Sequence, residues 1–124
     1  MKVLVTGSRS FQSKTIVWQA LSMHNPKVVV HGGASGADKY ASDWVKHKAS
    51  LGFKVTEEIY HPNWKELGRR AGMVRNQVMV SDGADICLAF LRNDLPCKGT
   101  RDCIKRAKKE GIQVIEYIDS GSES

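Results

Sequence analysis

Three cysteines without a CxxC pair, and no long apolar run, remove several classes of protein at once. Cys87, Cys97 and Cys103 are odd in number and unsuitably spaced for a disulfide framework or a zinc site, which fits a reducing, cytoplasmic setting. No apolar stretch approaches the roughly 18 residues that a membrane span needs. The opening strand-like segment from Lys2 to Thr6 is too short for a secretory leader. A soluble cytoplasmic protein with no membrane partner is therefore expected. Aromatic residues make up only 7% of the chain, too few for an extended base-stacking surface. Acidic residues are also in deficit, 13 against 19 Lys and Arg, for a net charge of +6. That excess favours an anionic partner without separating a small nucleotide from a nucleic acid. Part of it belongs to ordinary surface, since Lys105, Lys108 and Lys109 complement the negative end of a predicted helix.

What is present is a regular alternation of strand-like and helix-like segments in 124 residues, enough for one domain with one core. Strands are expected at 2–6, 27–31, 53–59, 85–91 and 112–118. Ser13 caps a helix that Asn25-Pro26 ends. Ala37, Tyr40, Ala41, Trp44 and Val45 share one face of a second helix, with Gly52 past its end. A third helix is predicted from about Leu67 to Asp82 with Ala71, Val74 and Val78 inward, and a fourth begins at a Thr100 cap. This alternation predicts an α/β, Rossmann-like three-layer sandwich around a mostly parallel five-stranded sheet. One domain is expected over 1–119, and 120–124 (SGSES) read as a disordered tail.

In such sheets ligands bind beyond the carboxyl ends of the strands. Three polar, glycine-bearing clusters fall there: Gly7-Ser8-Arg9, Gly32–Asp38 and Lys98-Gly99-Thr100. Gly32, Gly33, Ser35 and Gly36 make a strand–loop–helix transition whose amides suit a phosphate, although it is neither a dinucleotide fingerprint nor a Walker loop. Arg75 offers a planar fork to phosphate oxygens, and Asn76 an amide for a sugar or base edge. Arg69 and Arg70 read as solvated. Asp38, at a helix start, is expected to cap it, with a ribose hydroxyl as its alternative partner. His31 and Trp44 read as structural, and Trp64 as a residue open to a ligand. No acidic pair or His–Cys set has metal-ligand spacing, so neither metal nor cofactor is expected.

Taken in order, Val5-Thr6-Gly7-Ser8-Arg9, the run from His31 to Asp38, Asn63-Trp64, Ala71-Gly72, Arg75-Asn76 and Lys98-Gly99-Thr100 resemble the YspA-like family of the SLOG superfamily. The resemblance extends from Val3 to about Val114. Relatives of that family include the Lonely-guy phosphoribohydrolases and the DprA proteins, and small members occur in bacteria and bacteriophages. The resemblance implies a nucleotide-binding domain, a homodimer, and Arg75 in the place of a catalytic arginine. It also aligns Lys98-Gly99-Thr100 with the hydrolases' PGGxGTxxE loop. There Cys97 and Lys98 replace the paired glycines, and Cys103 replaces the glutamate. A thiol is a poor substitute for a carboxylate that steadies a developing oxocarbenium ion. The expected function is binding of a nucleotide or nucleotide-derived small molecule, as a sensor, carrier or sequestering protein. Two alternatives stay open: N-glycosidic hydrolysis using Arg75 with Asp38, and DprA-like binding of single-stranded DNA.

Overall fold

Short apolar or alternating runs bounded by turn residues form the strands, and helical segments between them return the chain in the same direction each time. In the computed structural model, which describes residues 1–119, the order is β1 (Lys2–Gly7), α1 (Lys14–His24), β2 (Val28–His31), α2 (Ala37–Ser50), β3 (Thr56–Ile59), α3 (Trp64–Leu67), a 3-10 turn (Gly68–Arg70), α4 (Ala71–Ser81), β4 (Ile86–Arg92), α5 (Lys98–Lys109) and β5 (Gln113–Asp119). The expected tail at 120–124 lies outside the described residues. All five strands are parallel, in the order β3-β2-β1-β4-β5. The α/β, Rossmann-like expectation is met. No helix among the described residues is long and apolar enough to cross a membrane.

Alternation along the central strands divides the core into two layers. Val3 and Val5 of β1 face one way and pack with Val17 and Leu21 of α1 and Ala41 and Trp44 of α2. Leu4 faces the other way, onto Met79 and Val80 of α4 and Cys103 and Ala107 of α5. The strand order reverses between β1 and β4, so the loops that follow these strands diverge and leave a crevice.

Ser13 caps α1 through the Ile16 amide, and Asn25 ends that helix in the left-handed conformation. Three expectations need correction. β3 begins at Thr56 rather than Phe53, whose ring stays exposed beneath the Lys48 ammonium at 4.0 Å. The helix predicted from Leu67 is interrupted: α3 starts at an Asn63 cap and stops at Gly68 (φ 57°), so α4 begins only at Ala71. On α4, Val74 and Val78 are exposed, while Ala71, Asn76, Met79 and Val80 are buried. The helix is rotated away from its apolar stripe because the Asn76 amide is anchored to α5, with its Nδ2 donating to Gly99 O and to Asp102 Oδ2. Hydrogen bonds to a buried amide outweigh two exposed valines.

Gly36 has φ 72°, and a Cβ there would collide with the Ser8 and Arg9 carbonyls. Gly99 is different, with nothing within 4 Å of an added Cβ. Gly36→Ala should therefore cost about 2–3 kcal/mol in urea unfolding, and Gly99→Ala should be neutral or stabilising by up to about 1 kcal/mol. Equal midpoints for the two variants would contradict this packing.

Candidate functional site

Arg75 enters the site from the middle of α4. Its guanidinium lies against Gly32, where a Cβ would clash with it. Nη1 donates to the carbonyls of Gly32 (2.9 Å) and Tyr60 (3.4 Å), and Nε donates to Asn76 Oδ1 (2.8 Å). Nη2 makes no hydrogen bond among the described residues. Asn76 is buried, and its amide is used by Arg75, Gly99 and Asp102. Instead of presenting the side chain to a sugar or base, this arrangement makes Asn76 a clamp between α4 and the first turn of α5. Asp102 extends the clamp to Arg106, which reaches Gln77.

The 32–38 loop is braced from within. Asp38 does not cap α2, whose N-cap is Gly36. Its Oδ2 instead accepts from the amides of Gly32 and Ala34, each at 3.2 Å. The Gly33 amide donates to His31 Nδ1, which leaves the ring proton on Nε2, 2.6 Å from Glu57 Oε2. His31 is thus structural. Burial would raise the Glu57 carboxyl, but bonds from His31 and Ser42 hold it below its usual value. Two of the loop amides expected to face a phosphate, those of Gly32 and Gly33, therefore already have partners inside the chain, as does the Ala34 amide beside them.

Amides without partners among the described residues lie across the crevice. α5 starts at Lys98 from a left-handed Cys97 (φ 51°), and no side chain caps it. Thr100, expected as its cap, is instead the third helical residue and is buried. The first-turn amides of Lys98, Gly99 and Thr100 have no intrahelical acceptor and carry the positive end of the helix dipole. Behind them Cys103 is fully buried, and burial pushes its thiol up to about 11.

These elements enclose a cleft of about 400 Å³ at the carboxyl end of the sheet. Gly7, Ser8, Arg9, Gly32, Asp38, Arg75, Asn76, Lys98, Gly99 and Thr100 line it. Gly33 and Ser35 line an adjoining recess of about 350 Å³, and Gly36 lines neither because it is packed under the β1–α1 loop. Trp64 borders both spaces and stacks loosely under the Arg9 guanidinium, 6.0 Å from the ring centroid. Arg69, read as solvated, also lines the cleft, as do Met73 and Met79. Its position becomes intelligible only once the 3-10 turn over Gly68–Arg70 is known.

Around the cleft stand Arg9, Arg69, Arg75 and Lys98, against Asp38 as the one acid in its lining. Asp38 is buried, its Oδ1 has no hydrogen-bond partner among the described residues, and burial holds its carboxyl above the usual range. His31, the loop amides and Arg75 only partly offset that burial. No group of three or more His, Cys, Asp or Glu gathers as a metal set among the described residues.

The model of the YspA, cpYpsA-related SLOG family matches residues 1–66, which carry β1, the 32–38 loop and Trp64. The chain belongs to that family. Gene 61 protein of Mycobacterium phage D29 is 45% identical over 124 residues, covering 95% of this chain and 97% of the phage protein. No solved structure matches the chain.

A carboxyl held above its usual value in the folded state binds a proton that the unfolded chain has released. Its contribution to stability is therefore complete below about pH 3.9, the unfolded value, and is lost as pH rises through the folded value. Asp38→Asn should lose less stability than the parent protein between about pH 4 and pH 8, read from urea midpoints. Parallel pH profiles would mean that Asp38 titrates normally.

Proposed function

We propose that the protein binds a nucleotide or nucleotide-derived small molecule in this cleft and acts as a cytoplasmic sensor, carrier or sequestering protein. The observation that carries the reading is the charge of the site: four cations and an uncapped helix N-terminus converge on a crevice holding one carboxyl, itself biased toward its neutral form. That arrangement suits an anion the size of a phosphate group. Family membership supports a nucleotide-related role.

Turnover is a second reading, and Asp38 is its one specific support, as a buried acid beside Arg75 able to hold a proton. Against it stands Cys103, where the related hydrolases carry glutamate. A neutral thiol sealed among Leu4, Val30 and Met79 offers a departing base neither charge nor proton. Single-stranded DNA is disfavoured because Trp64 is the sole aromatic residue lining the cleft, and Lys105, Lys108 and Lys109 sit in later turns of α5, beyond its first turn at the cleft.

Calorimetry with nucleoside mono- and diphosphates tests the reading. Lys98→Ala should weaken binding by about 1–2 kcal/mol with little change in stability. Arg75→Ala should lose about 1–3 kcal/mol of binding and also destabilise the fold, because its carbonyl contacts disappear. Base release should be negligible. Absence of nucleotide binding, or a steep salt dependence with oligodeoxynucleotides, would overturn the proposal.

The homodimer is proposed on a separate surface. Met73, Val74 and Val78 are 47%, 40% and 47% exposed along α4, beside Arg70 and Arg106, and Met73 continues into the cleft. An apolar stripe of this kind marks an association surface, and a twofold pair is the commonest way to cover one. Light scattering at micromolar concentration should give a dimer mass that Val78→Asp halves. A monomeric parent protein would remove the claim.

A further inference from the structure

The recess beside the main cleft has a chemistry of its own. It is lined by Gly33, Ser35, His61 and Pro62, and it shares a wall of Arg9, Gly32, Ala34, Trp64 and Arg75 with the cleft. Two of the three guanidinium groups of the site, those of Arg9 and Arg75, stand on that shared wall, so an anionic linkage placed there would carry one substituent into each space. The two spaces are of similar size, about 400 and 350 Å³, and each reaches the lower range of small-molecule sites. A simple mononucleotide would leave one of them to water.

The two spaces differ in what they favour. The main cleft carries the uncapped end of α5 and the apolar side chains of Met73 and Met79, suited to phosphate and base. The recess presents the exposed His61 imidazole and the Ser35 hydroxyl, whose Oγ already donates to the Arg9 carbonyl at 3.2 Å and so keeps a lone pair free to accept. Such a surface recognises hydroxyl groups. The Trp64 ring, half exposed on the shared wall, offers a face for a sugar or base ring to cover.

We infer that the ligand is a nucleoside diphosphate sugar: its nucleotide lies in the main cleft, its pyrophosphate crosses between Arg9 and Arg75, and its sugar occupies the recess beside Ser35 and His61. This inference rests on the nucleotide-binding reading and names the ligand class for the same site. His61 and Ser35 become specificity-determining residues, acting on the sugar rather than on the phosphates.

Calorimetry with UDP against UDP-glucose, and with ADP against ADP-ribose, tests the inference on the parent protein and on His61→Ala. At least one sugar-bearing ligand should bind about tenfold or more tightly than its diphosphate, and His61→Ala should bring the two affinities of that pair within about threefold. Equal affinities across both pairs in the parent protein would overturn the inference and leave nucleotide binding standing. So would a preference that survives both His61→Ala and Ser35→Ala. If none of the four compounds binds, the nucleotide reading itself fails, and this inference with it.

Discussion

The guanidinium of Arg75 can rest on the backbone at Gly32 only because that residue has no Cβ, and much of the site depends on this contact. From there Arg75 reaches the ends of β2 and β3 through two carbonyls and holds the Asn76 amide in place. Asn76 in turn anchors the first turn of α5. One side chain thus connects the loop after β2, the chain leaving β3, and both helices of one layer. Buried polar groups left without partners cost stability, so a net of this kind is favourable only when nearly complete. Where it is incomplete is informative. Arg75 Nη2, the first amides of α5 and Asp38 Oδ1 are among the groups that the described residues leave over, and these belong to residues lining the cleft.

Much of the fold was legible because the central strands β1, β2 and β4 appear as short apolar runs, and glycine or proline punctuates the helices between them. The positions of the clusters at the strand ends followed from that alternation alone. What could not be read were the features decided by a single side-chain bond. Nothing in the spacing of α4 indicates that Asn76 would outweigh Val74 and Val78 for the inward face, since the stripe of valines is the stronger periodic signal. Asp38 showed the same limit: an acid at a helix start has several possible acceptor geometries, and only the folded loop selects Gly32 and Ala34 as its donors. Arg69 and the His61-Pro62 edge come into the site through the short α3 and its Gly68 stop, a break that the apolar pattern of the region conceals.

The bracing of the 32–38 loop changes where an anion would be held. Glycine-rich turns before helices bind phosphate when their amides point outward and lack partners. Here Asp38 and His31 already accept from three of them, which makes the loop a rigid wall. The loop's contribution is then shape: Gly32 allows Arg75 close, and Gly36 lets the loop after β1 pass over it. Under the proposed function, the attraction for phosphate passes to α5 and to the cations around it.

That division has a chemical consequence for Asp38. A carboxylate beside the Arg75 guanidinium and two donating amides would normally be held in its charged form, yet burial prevails here and the group is biased toward neutrality. An anion arriving in the cleft would add repulsion to burial and strengthen the bias. A protonated Asp38 could keep Oδ2 as acceptor for the Gly32 and Ala34 amides while the buried Oδ1 carries the proton. In that state it would not oppose a bound phosphate electrostatically. The same proton would be the first requirement for helping a base depart, but nothing opposite it carries the negative charge that a cationic sugar needs, because Cys103 is sealed in the core as a neutral thiol. Under the proposed function, binding and cleavage therefore separate at one position: a protonated Asp38 would serve the first, and the second would lack its partner.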